Sequence, residues 1–88
     1  MPRKSAASEE IHISIRTRRK ILFEGPVFSV TSFNSMGEFS VLPQHANFVS
    51  LVKDSVVLDK GTPRERVFEL ERGLLNVDGE KVSLYVGI

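Results

Sequence analysis

The chain has 88 residues, 41% of them hydrophobic and 26% charged, with a formal net charge of +1 and no cysteine. That composition fits one small globular domain and excludes disulfide scaffolds, thiolate zinc sites and cysteine nucleophiles. No apolar run nears the ~20 residues of a membrane-spanning helix, and no signal-peptide core follows Met1.

The charge is unevenly spread. Residues 1–20 hold six basic groups (Arg3, Lys4, Arg16, Arg18, Arg19, Lys20) against Glu9 and Glu10, whereas residues 21–88 hold six basic and nine acidic groups. A basic end suits an anionic partner such as nucleic acid or lipid head groups. A solvated arm and a charged hairpin tip are the commoner reading, because +4 falls well short of the arrays that neutralise many phosphates.

Residues 1–9 are small and polar without periodicity and read as a disordered leader, and the folded domain is expected over 10–88. Ile11, Ile13 and Ile15 alternate with His12, Ser14 and Arg16, which predicts a strand with one β-branched face. Thr17 to Lys20 reads as a turn. Ile21-Leu22-Phe23 opens a second strand, in which Gly25-Pro26 predicts a bulge or bend because proline cannot donate to a ladder. Val27 to Phe33 reads as strand, Asn34 to Gly37 as a turn, and Glu38 to Leu42 as strand up to the breaker Pro43.

His45 to Val52 fits either a strand or a single helical turn. Lys53-Asp54 reads as a turn, Ser55 to Leu58 as strand, and Asp59 to Pro63 as a hairpin loop. Phe68 and Leu70 then alternate with Val67 and Glu69. Asp78-Gly79 predicts a type I′ hairpin into a last strand over Lys81 to Val86. Eight or nine short strands without an amphipathic helix predict an all-β sandwich or barrel.

The chemistry on offer is thin. Ser35, Ser40 and Ser50 lie in ordinary turn or strand contexts without a G-x-S-x-G elbow. His12 and His45 belong to no zinc-binding spacing, so no metal is expected. The glycines are isolated, so no phosphate-cradling loop forms and no cofactor is expected. A barrel that reads single-stranded nucleic acid needs outward aromatics between basic groups. Here the six Phe and Tyr85 mostly sit among aliphatics, where core packing explains them. From the residues alone the chain is a small all-β interaction module. The alternative reading is a β-barrel binding single-stranded nucleic acid through the basic 16–20 segment.

One stretch is more specific. Gly37-Glu38-Phe39-Ser40-Val41-Leu42-Pro43-Gln44-His45-Ala46-Asn47-Phe48-Val49-Ser50 resembles the G-E-hydrophobic-G-hydrophobic-x-P-G-H-A-P signature of the epsilon subunit of F-type ATP synthase (delta in mitochondria). Ile21-Leu22-Phe23-Glu24-Gly25 upstream and Arg72-Gly73-Leu74-Leu75-Asn76-Val77 downstream resemble two further motifs of that family. The chain departs from the pattern at Gln44, Asn47 and Arg72, where the family has Gly, Pro and Gly. It also stops at Gly87-Ile88, where the family continues into a C-terminal helical hairpin, so the inhibitory and ATP-sensing roles of that hairpin are not assigned to these residues.

The resemblance implies a two-sheet β-sandwich of about ten short strands. It implies a non-catalytic rotor subunit in the central stalk, coupling the gamma subunit to the polar loops of the membrane c-ring in proton-driven ATP synthesis. The expected location is peripheral, on the cytoplasmic face of the bacterial inner membrane or the matrix or stroma side in an organelle. By matched position, Glu38 is expected to face the c-ring, and His45, Ser50 and Thr17 to face gamma.

Overall fold

The computed structural model describes residues 10–43 and 47–87. The expected leader, residues 1–9, and the signature His45 lie outside the described residues. The described residues form seven strands: β1 (Ile11–Arg16), β2 (Ile21–Val27), β3 (Val30–Asn34), β4 (Gly37–Val41), β5 (Asn47–Leu58), β6 (Arg66–Asp78) and β7 (Lys81–Val86). They hydrogen-bond in the order β2-β1-β7-β6-β5-β3-β4. All pairs are antiparallel except β1 with β7.

One continuous ladder nevertheless makes two layers, because β5 and β6 are long. The C-terminal half of β6 pairs with β7, from Gly73↔Val86 to Asp78↔Lys81. The C-terminal half of β5 pairs instead with β3, with Val30 opposite Leu58. The long hairpin therefore passes from one layer into the other. The first layer runs β2, β1, β7, the end of β6 and the start of β5. The second runs from the start of β6 through the end of β5 to β3 and β4. With no helix among the described residues to cover either face, Ile13, Ile15, Leu75 and Leu84 are fully buried against the layer that carries Val30, Val56 and Leu58, and all of them belong to one core cluster.

Each open side of the sandwich is closed by an aromatic pair with one ring from each layer. Phe23 of β2 meets Phe68 of β6 with ring centroids 6.0 Å apart, and Phe39 of β4 meets Phe48 of β5 at 6.3 Å. Such tilted and edge-on geometries satisfy the ring quadrupoles and exclude water from the seam. The core's few polar side chains are also satisfied. Ser32 donates to the Ser55 carbonyl at 2.7 Å, and the Thr31 and Ser40 hydroxyls pair at 2.8 Å.

Several expectations change. Gly25-Pro26 forms no bulge: the β1–β2 register runs unbroken through it and slips instead between Ile15 and Arg16. Lys53-Asp54 is not a turn between two strands but a bulge inside β5: the register slips there and Asp54 sits at φ 74°. A bulge bends a strand and raises its twist, which suits the point where the hairpin changes layers. The stretch from Val27 to Phe33 is broken at Phe28-Ser29, where the chain turns a corner. The β6–β7 hairpin closes on Asp78↔Lys81, so its loop is Gly79-Glu80 with only Gly79 at positive φ (64°). A first loop residue of that kind marks a type II′ turn rather than the type I′ expected from Asp78-Gly79. The strands thus number seven rather than eight or more, while the sandwich architecture stands. The segment that fitted strand or helical turn is strand from Asn47 onward.

The Phe28-Ser29 corner is held from a distance. Asp59, only 3% exposed, follows β5, and its Oδ1 accepts the Phe28 N–H at 2.6 Å and the Ser29 N–H at 3.3 Å. Its own N–H donates to the Ser29 carbonyl at 3.1 Å. The Asp59 carbonyl accepts the Thr62 hydroxyl at 2.8 Å, and the Arg64 guanidinium stands 4.0 Å from Oδ2. One buried carboxylate ties the β2–β3 corner to the β5–β6 loop.

Candidate docking surface

Thr17 closes the β1–β2 hairpin. Its hydroxyl accepts the N–H groups of Arg19 and Lys20, both at 3.2 Å, and its backbone N–H donates to the Lys20 carbonyl at 2.9 Å. This is the side-chain-to-backbone geometry by which Thr stabilises a turn. It leaves the side chains of Arg18, Arg19 and Lys20 exposed at the tip.

Ser50 lies at the open edge of the first layer, half-buried. Its hydroxyl accepts from Asn34 Nδ2 at 3.3 Å and donates to the Leu51 carbonyl at 3.2 Å. Asn34 belongs to β3, so this contact joins the two layers beside the Phe39–Phe48 pair. Asn34 also shapes the β3–β4 turn, where its Oδ1 accepts the Met36 N–H at 2.8 Å. Both hydroxyls expected to face a partner are therefore engaged within the chain.

Glu38 is on the other layer, in β4 opposite Phe33. Its carboxylate accepts from Lys60 Nζ at 2.8 Å, with both side chains about half exposed (47% and 49%). Exposed pairs of this kind are worth roughly 0–1 kcal/mol. Glu38→Gln is accordingly expected to leave the urea midpoint nearly unchanged, a shift in stability below about 0.5 kcal/mol. A larger loss in urea titration would assign Glu38 to the fold rather than to the surface. The structure thus separates the expected residues, with Glu38 on one layer and Thr17 and Ser50 on the other.

The surface that sequence reading missed is the outer face of the first layer. Cα partners run straight across it: Leu51 opposite Leu74, Leu74 opposite Tyr85, and Tyr85 opposite Arg16, where the run ends because the β1–β2 register slips between Ile15 and Arg16. Partners of this kind place their side chains on one face. Leu51 is 66% exposed, Val49 on the same strand 63%, and Met36 of the neighbouring turn 93%; Ile21 and Tyr85 are also exposed. Beside Leu51, an open groove of about 830 Å³ separates β5 from the β3–β4 turn, lined by Met36, Val49, Leu51 and Arg72 among others. The signal lay in the run Phe48-Val49-Ser50-Leu51-Val52, which is apolar in both phases of the strand repeat. A strand with one solvated face should alternate, so the apolar outward phase marks an exposed apolar patch of the kind that serves as a contact surface.

A second feature of the first layer is polar. His12 Nε2 and Glu24 Oε2 are 3.3 Å apart across β1 and β2, both exposed. Among the described residues, no three His, Cys, Asp or Glu side chains converge as a metal site would require. Among the described residues no helix is long and apolar enough to cross a membrane.

Fold and face together define a class: a two-layer β-sandwich with an apolar strip exposed on one outer face. Residues 10–87 match the family described as ATP synthase, Delta/Epsilon chain, beta-sandwich domain, and the chain belongs to that family. It is 37% identical over 79 residues to the ATP synthase epsilon chain of Sulfurovum sp. (strain NBC37-1), an alignment covering 89% of this chain and 62% of the relative. With the ATP synthase epsilon chain of Campylobacter jejuni (strain 81116) it shares 34% over 75 residues, 84% of this chain and 58% of the relative.

Among solved structures, it superposes with a TM-score of 0.78 on a chain of the Euglena gracilis mitochondrial ATP synthase (OSCP/F1/c-ring, rotational state 1). That match covers 89% of this chain and 51% of the other at 16% identity. A chain of the Tetrahymena thermophila mitochondrial ATP synthase central stalk and c-ring gives a TM-score of 0.69 at 8% identity, covering 89% and 63%. At those identities the structural likeness concerns the fold. The chain spans less than two thirds of the length of these relatives. The resemblance read in the Gly37–Ser50 stretch is borne out by the family match.

Proposed function

We propose that the chain serves as the sandwich of a non-catalytic central-stalk subunit of ATP synthase, coupling the gamma subunit to the c-ring. It would sit on the membrane's cytoplasmic side, or the equivalent organellar side, as a peripheral component. Family membership supports the assignment to ATP synthase. The observation that carries the coupling role is the separation of two candidate contact regions onto opposite layers. The apolar outer face lies on the first layer, and Glu38, expected to face the c-ring, lies on the second. A part that grips two neighbours needs two faces and a stiff body between them. Two hydrogen-bonded layers around one dry core resist shear because their interdigitated side chains have no room to slide.

In this reading His45, Ser50 and Thr17 mark the gamma side. Ser50 and Thr17 act there by shaping the edge and the hairpin tip, since their hydroxyls are already bonded. Any ion pair of Glu38 with a c-ring loop would replace its contact with Lys60, setting register more than affinity. The test is co-expression with the gamma subunit of the same genome and affinity purification through a tag on this chain. Stoichiometric gamma in the eluate is expected. Its absence from the eluate, with gamma soluble in the lysate, would refute the coupling role.

A further inference from the structure

The apolar row on the outer face does not end in neutral surface. At its β1–β2 end Arg16 stands in the row itself, and the hairpin tip beyond it presents Arg18, Arg19 and Lys20. At its β5–β6 end the next outward-facing pair is Lys53 opposite Arg72. The row spans four strands, roughly 14 Å at about 4.8 Å per strand. Both ends are thus cationic, and among the described residues no ion pair neutralises Arg18, Arg19, Lys20, Lys53 or Arg72. Glu71 and Asp54 lie near the second end, so the hairpin tip carries the stronger uncompensated charge.

We infer that this strip is an electrostatically clamped dock for a protein surface that is apolar in its middle and acidic where it meets the β1–β2 tip. The inference rests on the reading above, in which that partner is gamma, and adds the chemistry by which the partner is held. The apolar row excludes water at the centre. The tip supplies charges at the rim, which steer encounter and set orientation. Turn geometry prepares the tip: with Thr17 bonding the backbone N–H groups of Arg19 and Lys20, three consecutive cationic side chains project from a fixed hairpin. An extended acidic protein surface fits this arrangement better than a phosphate chain does, because the neighbouring row offers aliphatic side chains and a single aromatic, Tyr85, on which bases could stack.

The experiment measures association of the full chain with purified gamma at about 50 and about 300 mM salt, by surface-immobilised kinetics. The wild type is expected to lose affinity with salt mainly through a slower on-rate. The triple variant Arg18→Glu, Arg19→Glu, Lys20→Glu is expected to bind at least about tenfold more weakly at low salt and to show a flatter salt dependence. Leu51→Asp is expected to weaken binding at both salt concentrations. The milder pair Arg18→Gln with Arg19→Gln repeats the test without charge reversal, and unfolding midpoints verify that each variant folds.

If wild type binds gamma but neither the tip variants nor Leu51→Asp alters affinity, the dock lies elsewhere and the inference fails while the stalk assignment survives. If wild type does not bind gamma at all, the stalk assignment itself fails. The same chains are titrated with a single-stranded oligonucleotide and with vesicles containing anionic lipid. Tip-dependent binding to either, with gamma affinity unchanged by the tip variants, would overturn the inference in favour of a nucleic-acid or lipid contact.

Discussion

Gly73→Ala is expected to lower the stability of the domain by about 1–3 kcal/mol, the range for forcing an extra methyl into a packed interior. A Cβ at this position would stand 2.9 Å from the Tyr85 carbonyl oxygen and 3.1 Å from Leu84 Cδ1. The first of these is backbone, fixed by the β6–β7 ladder, so the neighbour cannot move without breaking Gly73↔Val86 pairing. No left-handed backbone is involved; the glycine is required by close approach alone. For a domain of this size the loss corresponds to a fall of roughly 4–24 °C in Tm, at about 4–8 °C per kcal/mol. Thermal unfolding followed by circular dichroism measures it directly. A fall of under about 3 °C would show that the strands separate at no cost and that the packing around residue 73 is loose. The loss also bears on function, because Gly73 follows Arg72 and precedes Leu74, at one end of the apolar strip.

Asp59→Ala is expected to cost about 2–4 kcal/mol, since hydrogen bonds to a charged acceptor contribute about 1.5–3 kcal/mol and the stranded donors add a desolvation cost. The variant leaves the Phe28 and Ser29 N–H groups without their acceptor and Arg64 without its counter-charge. It also places alanine at φ 54°, a conformation that aspartate and asparagine tolerate better. Asp59→Asn keeps one side-chain oxygen and the backbone preference, and is expected to recover more than half of the loss. Urea titration of both variants separates the two contributions. Equal destabilisation by Ala and Asn would assign the effect to charge. A neutral Asp59→Ala would mean that the β2–β3 corner holds its shape without the carboxylate.

Neither Gly73 nor Asp59 announces its role in the linear chain. Asp59-Lys60-Gly61-Thr62-Pro63 reads as an ordinary loop, and its composition does fold as one. That the first residue of this loop is buried and bonded to the chain thirty residues earlier depends on the second layer closing over the first. Gly73 reads as part of a family motif, with no indication of which neighbour demands it. The carbonyl of Tyr85 reaches it only because β7 returns alongside β6.

The site divides in the same way. Thr17, Ser50 and Glu38 were legible as positions of interest through the resemblance, yet each side chain proved to be bonded within the chain. Leu51 and Val49 were legible as strand residues, and their apolar outward phase was visible in principle. What alternation could not say is that Leu74, Tyr85 and Arg16 stand beside them. Those residues come from three other strands, one of them far earlier in the chain, and only the cross-strand register lines them up.

Local chemistry accounts for the rest. Period-two alternation in Ile11-His12-Ile13-Ser14-Ile15, the turn residues at Thr17–Lys20 and Asn34–Gly37, and the absence of any helical period were sufficient for strands, hairpins and an all-β class. Each of these depends on residues within a few positions of one another, so the chain states them directly. The joining of β5 and β6 into strands that cross layers, the parallel pairing of β1 with β7, the aromatic closure of both seams and the assembly of the apolar strip depend on contacts between distant segments. Their energies exist only once the layers have met, and no window of sequence contains them.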